Sequence, residues 1–209
     1  MSSNQKAPEV KVGSIKFPVS EAFKYSLENI RKRFTRALIT AFSVLLGIAF
    51  MVTILTMGTI LTNAGKQPPQ SYQLWMVIIA LLVCGVGIVN SMLMSVTERY
   101  KEIGTIKCLG ATDLSVLEIF LIEALLLGLM GGVIGAFAGW AAAVAIFSLQ
   151  PDMIGQIFPS ENLIPVLSQY MSHIGLAIGI AALLSVAAAA YPAFYAARLN
   201  PAEALRYEV

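Results

Sequence analysis

The sequence predicts an all-α integral membrane protein with four transmembrane helices, an N-terminal amphipathic interfacial helix and a short cytoplasmic helix between the second and third spans. Three observations carry that expectation. Of 209 residues, 57% are hydrophobic and 12% charged, with mean hydropathy +0.77, about half the charge of an ordinary soluble domain. Four apolar stretches are each long enough to cross a hydrocarbon layer of about 30 Å. Between the second and third lies a short charged passage, residues 95–111, tied at both ends to apolar segments. A polar peptide so anchored has to sit at one membrane face as a compact knob. Little length remains for a soluble domain, so one membrane domain is expected.

The chain opens with a polar lead, residues 1–19, carrying Lys6, Lys11 and Lys16. It is too long and too polar for the n-region of a cleaved signal peptide and is expected to stay attached. Residues 20–36 read as a helix capped by Ser20, with an apolar stripe of Phe23, Leu27, Ile30 and Phe34 and basic residues on its other faces. Such a helix lies in the interface, drawn to anionic headgroups; a solvated cytosolic helix is the plainer alternative.

Residues 37–62 form a first span, 26 positions without a charge. Thr40, Ser43 and Gly47 give it a small and polar face suited to helix packing. A turn over residues 63–71, with Gly65, Pro68 and Pro69, leads to a second span, 73–97. Tyr72 and Trp75 mark its interfacial end. Gly85 and Gly87 permit close helix approach, and Asn90 and Ser91 are expected to face protein as interhelical glue rather than line a conduit.

The knob, residues 98–112, contains Glu98, Arg99, Lys101, Glu102, Ile103, Gly104, Lys107, Leu109, Gly110 and Ala111. Gly104 weakens a helix there, Gly110 fits its C-terminal cap, and Thr112 or Asp113 caps the next helix. A transverse helical turn between two vertical helices follows. The third span, 114–149, has two overlapping small-xxx-small series, Gly128 to Gly132 and Gly131 to Gly135 to Gly139. Each glycine would cost a soluble helix about 1 kcal/mol relative to alanine, whereas in a membrane it admits a neighbouring backbone. Glu118 and Glu123 are its acids and point about 140° apart. Glu123 is expected to bond Arg99, Lys107 or a backbone group, with proton relay or cation binding as the functional alternative.

An outer loop, 150–170, holds three prolines and no Lys or Arg, and its apolar residues suit the outer leaflet. His173, the one histidine, has no metal partner in sequence and reads as interfacial. The fourth span, 171–192, is alanine-rich and is expected to stop at Pro192. The tail, 193–209, includes Arg198, Pro201 and Arg206, and Asn200-Pro201-Ala-Glu203 resembles a helix start, giving a short helix from Pro201 to Tyr207.

Orientation follows from the basic residues. Of 14 Lys and Arg, eight precede the first span, three lie in the knob, two follow the fourth span, and Lys66 alone lies opposite. The positive-inside rule puts both termini and the knob in the cytoplasm. No P-loop, HExxH or GxSxG motif occurs, and Cys84 and Cys108 have no metal-ligand spacing. Catalysis, a metal site and a cofactor held by this chain are therefore not expected. The basic N-terminal helix favours membrane lipids, not nucleic acid, because of its apolar stripe.

Asn90 through Gly104, then Leu109-Gly110-Ala111, Phe120-Leu-Ile-Glu123 and Gly131-Gly132-Val-Ile-Gly135, together with the tail Pro192 to Arg206, resemble the MacB/FtsX-like permease family, the transmembrane subunits of type VII ABC transporters. The resemblance implies a bacterial inner-membrane subunit with four spans, working as a homodimer or related heterodimer. It also implies a separate ATPase that binds ATP and Mg and receives the knob as a coupling helix. Transport would proceed by mechanotransmission, moving a lipid, lipoprotein or amphiphile; the alternative is a non-transporting regulator of an extracytoplasmic partner such as a cell-wall hydrolase or sensor. Family members typically carry a large extracytoplasmic domain between the first two spans, and here only Asn63 to Ser71 stands there. A membrane-fusion or periplasmic protein would then supply the missing part, or the substrate would be a lipid or amphiphile taken from the outer leaflet beside the loop of residues 150–170.

Overall fold

The computed structural model describes residues 26, 28, 34–65, 70–149, 157 and 163–200. These residues form helices without strands: α1 (Phe34–Asn63), α2 (Gln70–Glu98), α3 (Tyr100–Cys108), α4 (Asp113–Ser148) and α5 (Leu163–Ala197). All but the nine-residue α3 are long and apolar enough to cross a membrane. The chain is a multi-pass membrane protein, with α3 lying between two spans.

The glycines of α4 organise the bundle. A Cβ added at Gly131 would lie 2.7 Å from the Ala41 carbonyl, at Gly135 2.7 Å from that of Leu45, and at Gly139 2.8 Å from Ala49 Cα. These three residues recur at i, i+4 and i+8, one face of the helix, so α1 lies against α4 backbone to backbone. Gly128 and Gly132 occupy another face and admit Ser185 and Ala181 of α5. With one face against α1 and the other against α5, α4 is the most enclosed span.

Packing against α2 is looser and uneven along its length. Gly87 accommodates Ser43 and Gly47 accommodates Cys84, whose Cβ is 2.7 Å from the added carbon, but Gly85 has only Leu184 Cδ1 at 3.7 Å, an ordinary contact. Gly85 is therefore not a close-approach position. Val44, Ile48, Met51, Cys84, Ile88 and Ala181 centre the main core, and Thr40 and Ser91 add a hydrogen bond between α1 and α2. Large side chains such as Phe42, Trp75, Leu82 and Leu183 stay on the outside, as expected where the solvent is hydrocarbon.

Two helix limits differ from expectation. Helix α5 starts at Leu163, two turns before Met171, because Pro165 falls in its first turn, where a missing N–H costs nothing, and because Val166 and Tyr170 are buried against the bundle. The same helix passes through Pro192 and ends at Ala197. Pro192, Ala193, Ala196 and Ala197 are all buried, and that packing outweighs the one backbone bond proline removes. The lead, most of the amphipathic helix, much of the outer loop and the helix expected from Pro201 lie outside the described residues, as do Pro201 and Arg206. Of the amphipathic segment, Ser26 is described: it is buried, and its hydroxyl donates to the Ile119 carbonyl at 3.4 Å.

Candidate functional site: the elbow between α2 and α4

Helix α2 ends at Glu98, and Arg99, with φ −100° and ψ 13°, redirects the chain into α3. Helix α3 closes with two nested bonds, Gly110 N–H to the Lys107 carbonyl and Ala111 N–H to the Ile106 carbonyl. This is the Schellman pattern, and Gly110 at φ +99° supplies the left-handed residue it needs. Thr112 then caps α4, its hydroxyl accepting from Ser115 N–H at 3.3 Å. The elbow is thus closed at both joints by local chemistry that the sequence encodes.

Two cations brace it from within. Arg99 donates from Nη1 to Glu123 Oε2 at 2.8 Å and from Nη2 to Oε1 at 3.2 Å. Both side chains are buried, 5% and 8% exposed, and the guanidinium carbon lies 5.9 Å from the Phe120 ring centre. A two-pronged bond of this kind fixes orientation as well as distance. It ties the α2–α3 corner to the third turn of α4.

Lys107 is the second brace. Its ammonium donates to the Ala197 carbonyl at 2.6 Å and the Leu199 carbonyl at 2.9 Å, and it pairs with Asp113 Oδ1 at 2.8 Å. One side chain so joins the end of α3, the start of α4 and the carbonyl-rich end of α5, where a cation also complements the helix dipole. Beneath these polar braces, Val96, Ile103, Val116, Phe120, Ala196 and Leu199 form their own apolar cluster.

The residues read as one coupling surface therefore divide into two sets. Arg99, Ile103 and Gly104 are buried and Lys107 is turned inward, so these four hold the elbow rather than face outward. Glu98, Lys101, Glu102 and Leu109 are exposed, with Leu109 at 74%. Gly110 and Ala111 shape the turn behind them. Glu118 is exposed five residues before Glu123 and points elsewhere, and Arg198, also exposed, stacks on Phe194 with its guanidinium carbon 4.3 Å from the ring centre. Asn90, expected to face protein, lies on the outer surface of α2 because Ser91, not Asn90, points at α1. His173 is half-buried and its Nε2 sits 3.1 Å from Thr59 Oγ1. Among the described residues no group of three metal-ligating side chains occurs.

Lys107 as an internal clamp escaped the sequence reading. Its acceptors are main-chain carbonyls, which carry no residue-type signal, and Leu199 looks like any tail leucine.

The FtsX-like permease C-terminal family matches residues 74–201, a stretch that runs from the start of α2 past the clamp on Leu199. The chain belongs to the FtsX-like permease family. Among curated proteins, this FtsX-like chain is 39% identical over 130 residues to the macrolide export ATP-binding/permease protein MacB of Rhodopirellula baltica, covering 62% of this chain and 17% of that protein. It is 41% identical over 133 residues to the uncharacterized ABC transporter permease YknZ of Bacillus subtilis, covering 62% and 30%. The uncharacterized ABC transporter permease MJ1507 of Methanocaldococcus jannaschii is 38% identical over 130 residues, covering 62% and 31%. The FtsX-like region thus spans less than a third of the length of each of these relatives.

Proposed function

We propose that this chain is the membrane subunit of an ABC transporter and that the α2–α4 elbow receives the stroke of a separate ATPase, which binds the ATP and Mg. The arrangement that carries this reading is the pairing of an outward set, Glu98, Lys101, Glu102 and Leu109, with the inward braces at Arg99 and Lys107. An exposed leucine on the same elbow as exposed charges of both signs suits a partner with an apolar pocket in a polar surface. The braces convert a push on the elbow into movement of three spans at once. Relatives whose names join ATP-binding to permease, or permease to ABC transporter, support the same assignment.

In this reading two copies work together in the inner membrane with both termini cytoplasmic, a membrane-fusion or periplasmic protein completes the outer side, and the cargo is a lipid, lipoprotein or amphiphile handled by mechanotransmission. The chain itself performs no catalysis. The test is co-purification of the ATPase with the chain in lipid nanodiscs, comparing wild type with Leu109→Asp and with Lys101→Glu plus Glu102→Lys. Loss of ATPase capture or of its stimulation, with the bundle still folded, is the expected result. Full stimulation in both variants would remove the docking role.

A second reading, regulation of an extracytoplasmic partner without transport, is favoured by the tight α1–α4–α5 contacts, with large apolar grooves on the outer surface between α1 and α2 and between α1 and α4. Lipid release assayed in the same nanodiscs separates the two.

A further inference from the structure

We propose that the outward stripe at the end of α5 binds an anionic phospholipid, with the phosphate on Arg198 and an acyl chain running along the helix toward Leu183. The stripe follows from helical spacing. Leu183, Ala187 and Ala190 are exposed, and Tyr191, Phe194 and Tyr195 continue the same side at 66%, 49% and 48% exposure. The intervening Ala189, Ala193, Ala196 and Ala197 are buried in the bundle, so this end of α5 has one packed side and one bare side. Arg198 closes the series. Its backbone N–H donates to the Phe194 and Tyr195 carbonyls, each at 3.2 Å, which keeps it on the line of the helix. Leu183 to Arg198 covers 15 residues, or about 22 Å of helix, close to half of a bilayer of about 40–45 Å with its headgroups.

Arg198 supplies the charge. Among the described residues it makes no ion pair, and the Tyr191 and Tyr195 hydroxyls make no hydrogen bond. Its guanidinium carbon lies 4.3 Å from the Phe194 ring centre. Stacking occupies the face of the guanidinium and leaves its N–H edge free, and that edge matches two oxygens of a phosphate. A tyrosine hydroxyl can donate to a phosphate or ester oxygen while its ring stays among acyl chains. Tyrosines at the membrane boundary are common by themselves. An unpaired arginine stacked beside two of them, at the head of an apolar lane, adds the cation that favours an anionic headgroup. A water-soluble partner reaches only the Arg198 end, whereas the stripe runs on to Leu183, 73% exposed at hydrocarbon depth.

The position of the site gives it a consequence. The carbonyls of Ala197 and Leu199, on either side of Arg198, both accept from Lys107. A phosphate on Arg198 holds the end of α5 to the membrane surface while Lys107 holds it to the elbow. In the proposed orientation the lipid belongs to the inner leaflet. The site goes beyond the ATPase-docking reading and does not depend on it.

The test is native mass spectrometry of the full chain equilibrated in micelles holding equal amounts of phosphatidylglycerol and phosphatidylcholine. Wild type is expected to retain phosphatidylglycerol preferentially; no preference overturns the proposal. Arg198→Gln should lower the retained phosphatidylglycerol by about fivefold, as for loss of one cation beside an anionic surface. Arg198→Lys, which keeps the charge and loses the fork, should fall between the two. Lys101→Gln removes an exposed cation that lies off the stripe and should change nothing; an equal loss there reduces the effect to net charge and overturns the site. A second measurement needs no variant. Phosphatidylglycerol with a diazirine on its acyl chain is photolysed in nanodiscs holding the wild-type chain, and adducts concentrated on residues 183–195 are expected. Adducts spread evenly over the four spans overturn the lane. An Arg198→Gln chain that keeps its phosphatidylglycerol but no longer captures the ATPase assigns the arginine to that partner and overturns the lipid site.

Discussion

At the residue scale, the pair of Arg99 and Glu123 defines how this fold uses charge inside a membrane. Both side chains are buried, and each is tolerable only because the other is there. Glu123→Ala is expected to cost ~3–5 kcal/mol, since it strands a guanidinium; thermal unfolding in detergent micelles measures it. Arg99→Met combined with Glu123→Leu should recover most of that loss. Full additivity of the two single losses in the double variant would contradict a direct pair. Glycines make the same point through shape. Gly139→Ala puts a Cβ against the Ala49 backbone and is expected to destabilise by ~1–3 kcal/mol, whereas Gly85→Ala, with 3.7 Å to Leu184, should be close to neutral; the same unfolding experiment compares them. The sequence announces that Glu123 needs a compensating group, with Arg99, Lys107 and the backbone as candidates, and the structure decides for Arg99. It does not announce that Gly85 is slack, because glycine spacing encodes permission for close approach and not whether a neighbour uses it.

At the element scale, Lys107 joins α3, α4 and α5, and its removal is predicted to act at a distance from its own helix. Lys107→Met should free the Ala197 and Leu199 carbonyls, at a cost of ~1.5–3 kcal/mol for each charge-assisted bond lost. Hydrogen–deuterium exchange should then rise in the last turn of α5 while the middle of α4 stays protected. Unchanged exchange in that turn would mean the clamp does not hold it. The limits of α4 can be read from residues alone, since Gly110 and Thr112 have side-chain requirements that few other residues meet. Those of α5 cannot. Pro165 and Pro192 look like breaks, and only the burial of Tyr170 and Ala193 reveals that the helix continues through both.

At the scale of the whole molecule, four spans were evident from hydropathy because each is apolar over its full length, and the α1–α4–α5 packing was foreshadowed by two glycine faces on one helix. The outward direction of Asn90 was not, since a polar residue in a span is costly against lipid whichever protein covers it. Topology can be tested with the native thiols. Cys108 is exposed on the elbow and Cys84 is buried, so a membrane-impermeant maleimide is expected to label Cys108 in inside-out vesicles and spare it in intact cells, with Cys84 unlabelled in both. Labelling from the opposite side would invert the proposed orientation. One further property follows from the connection between α1 and α2, where six residues separate Asn63 from Gln70. Seven peptide steps reach at most about 25 Å when fully stretched. However large the stroke delivered at the elbow, that leash caps how far the far tips of the first two rods of one chain can spread, so any larger displacement beyond the membrane has to come from movement of this tethered pair as a unit.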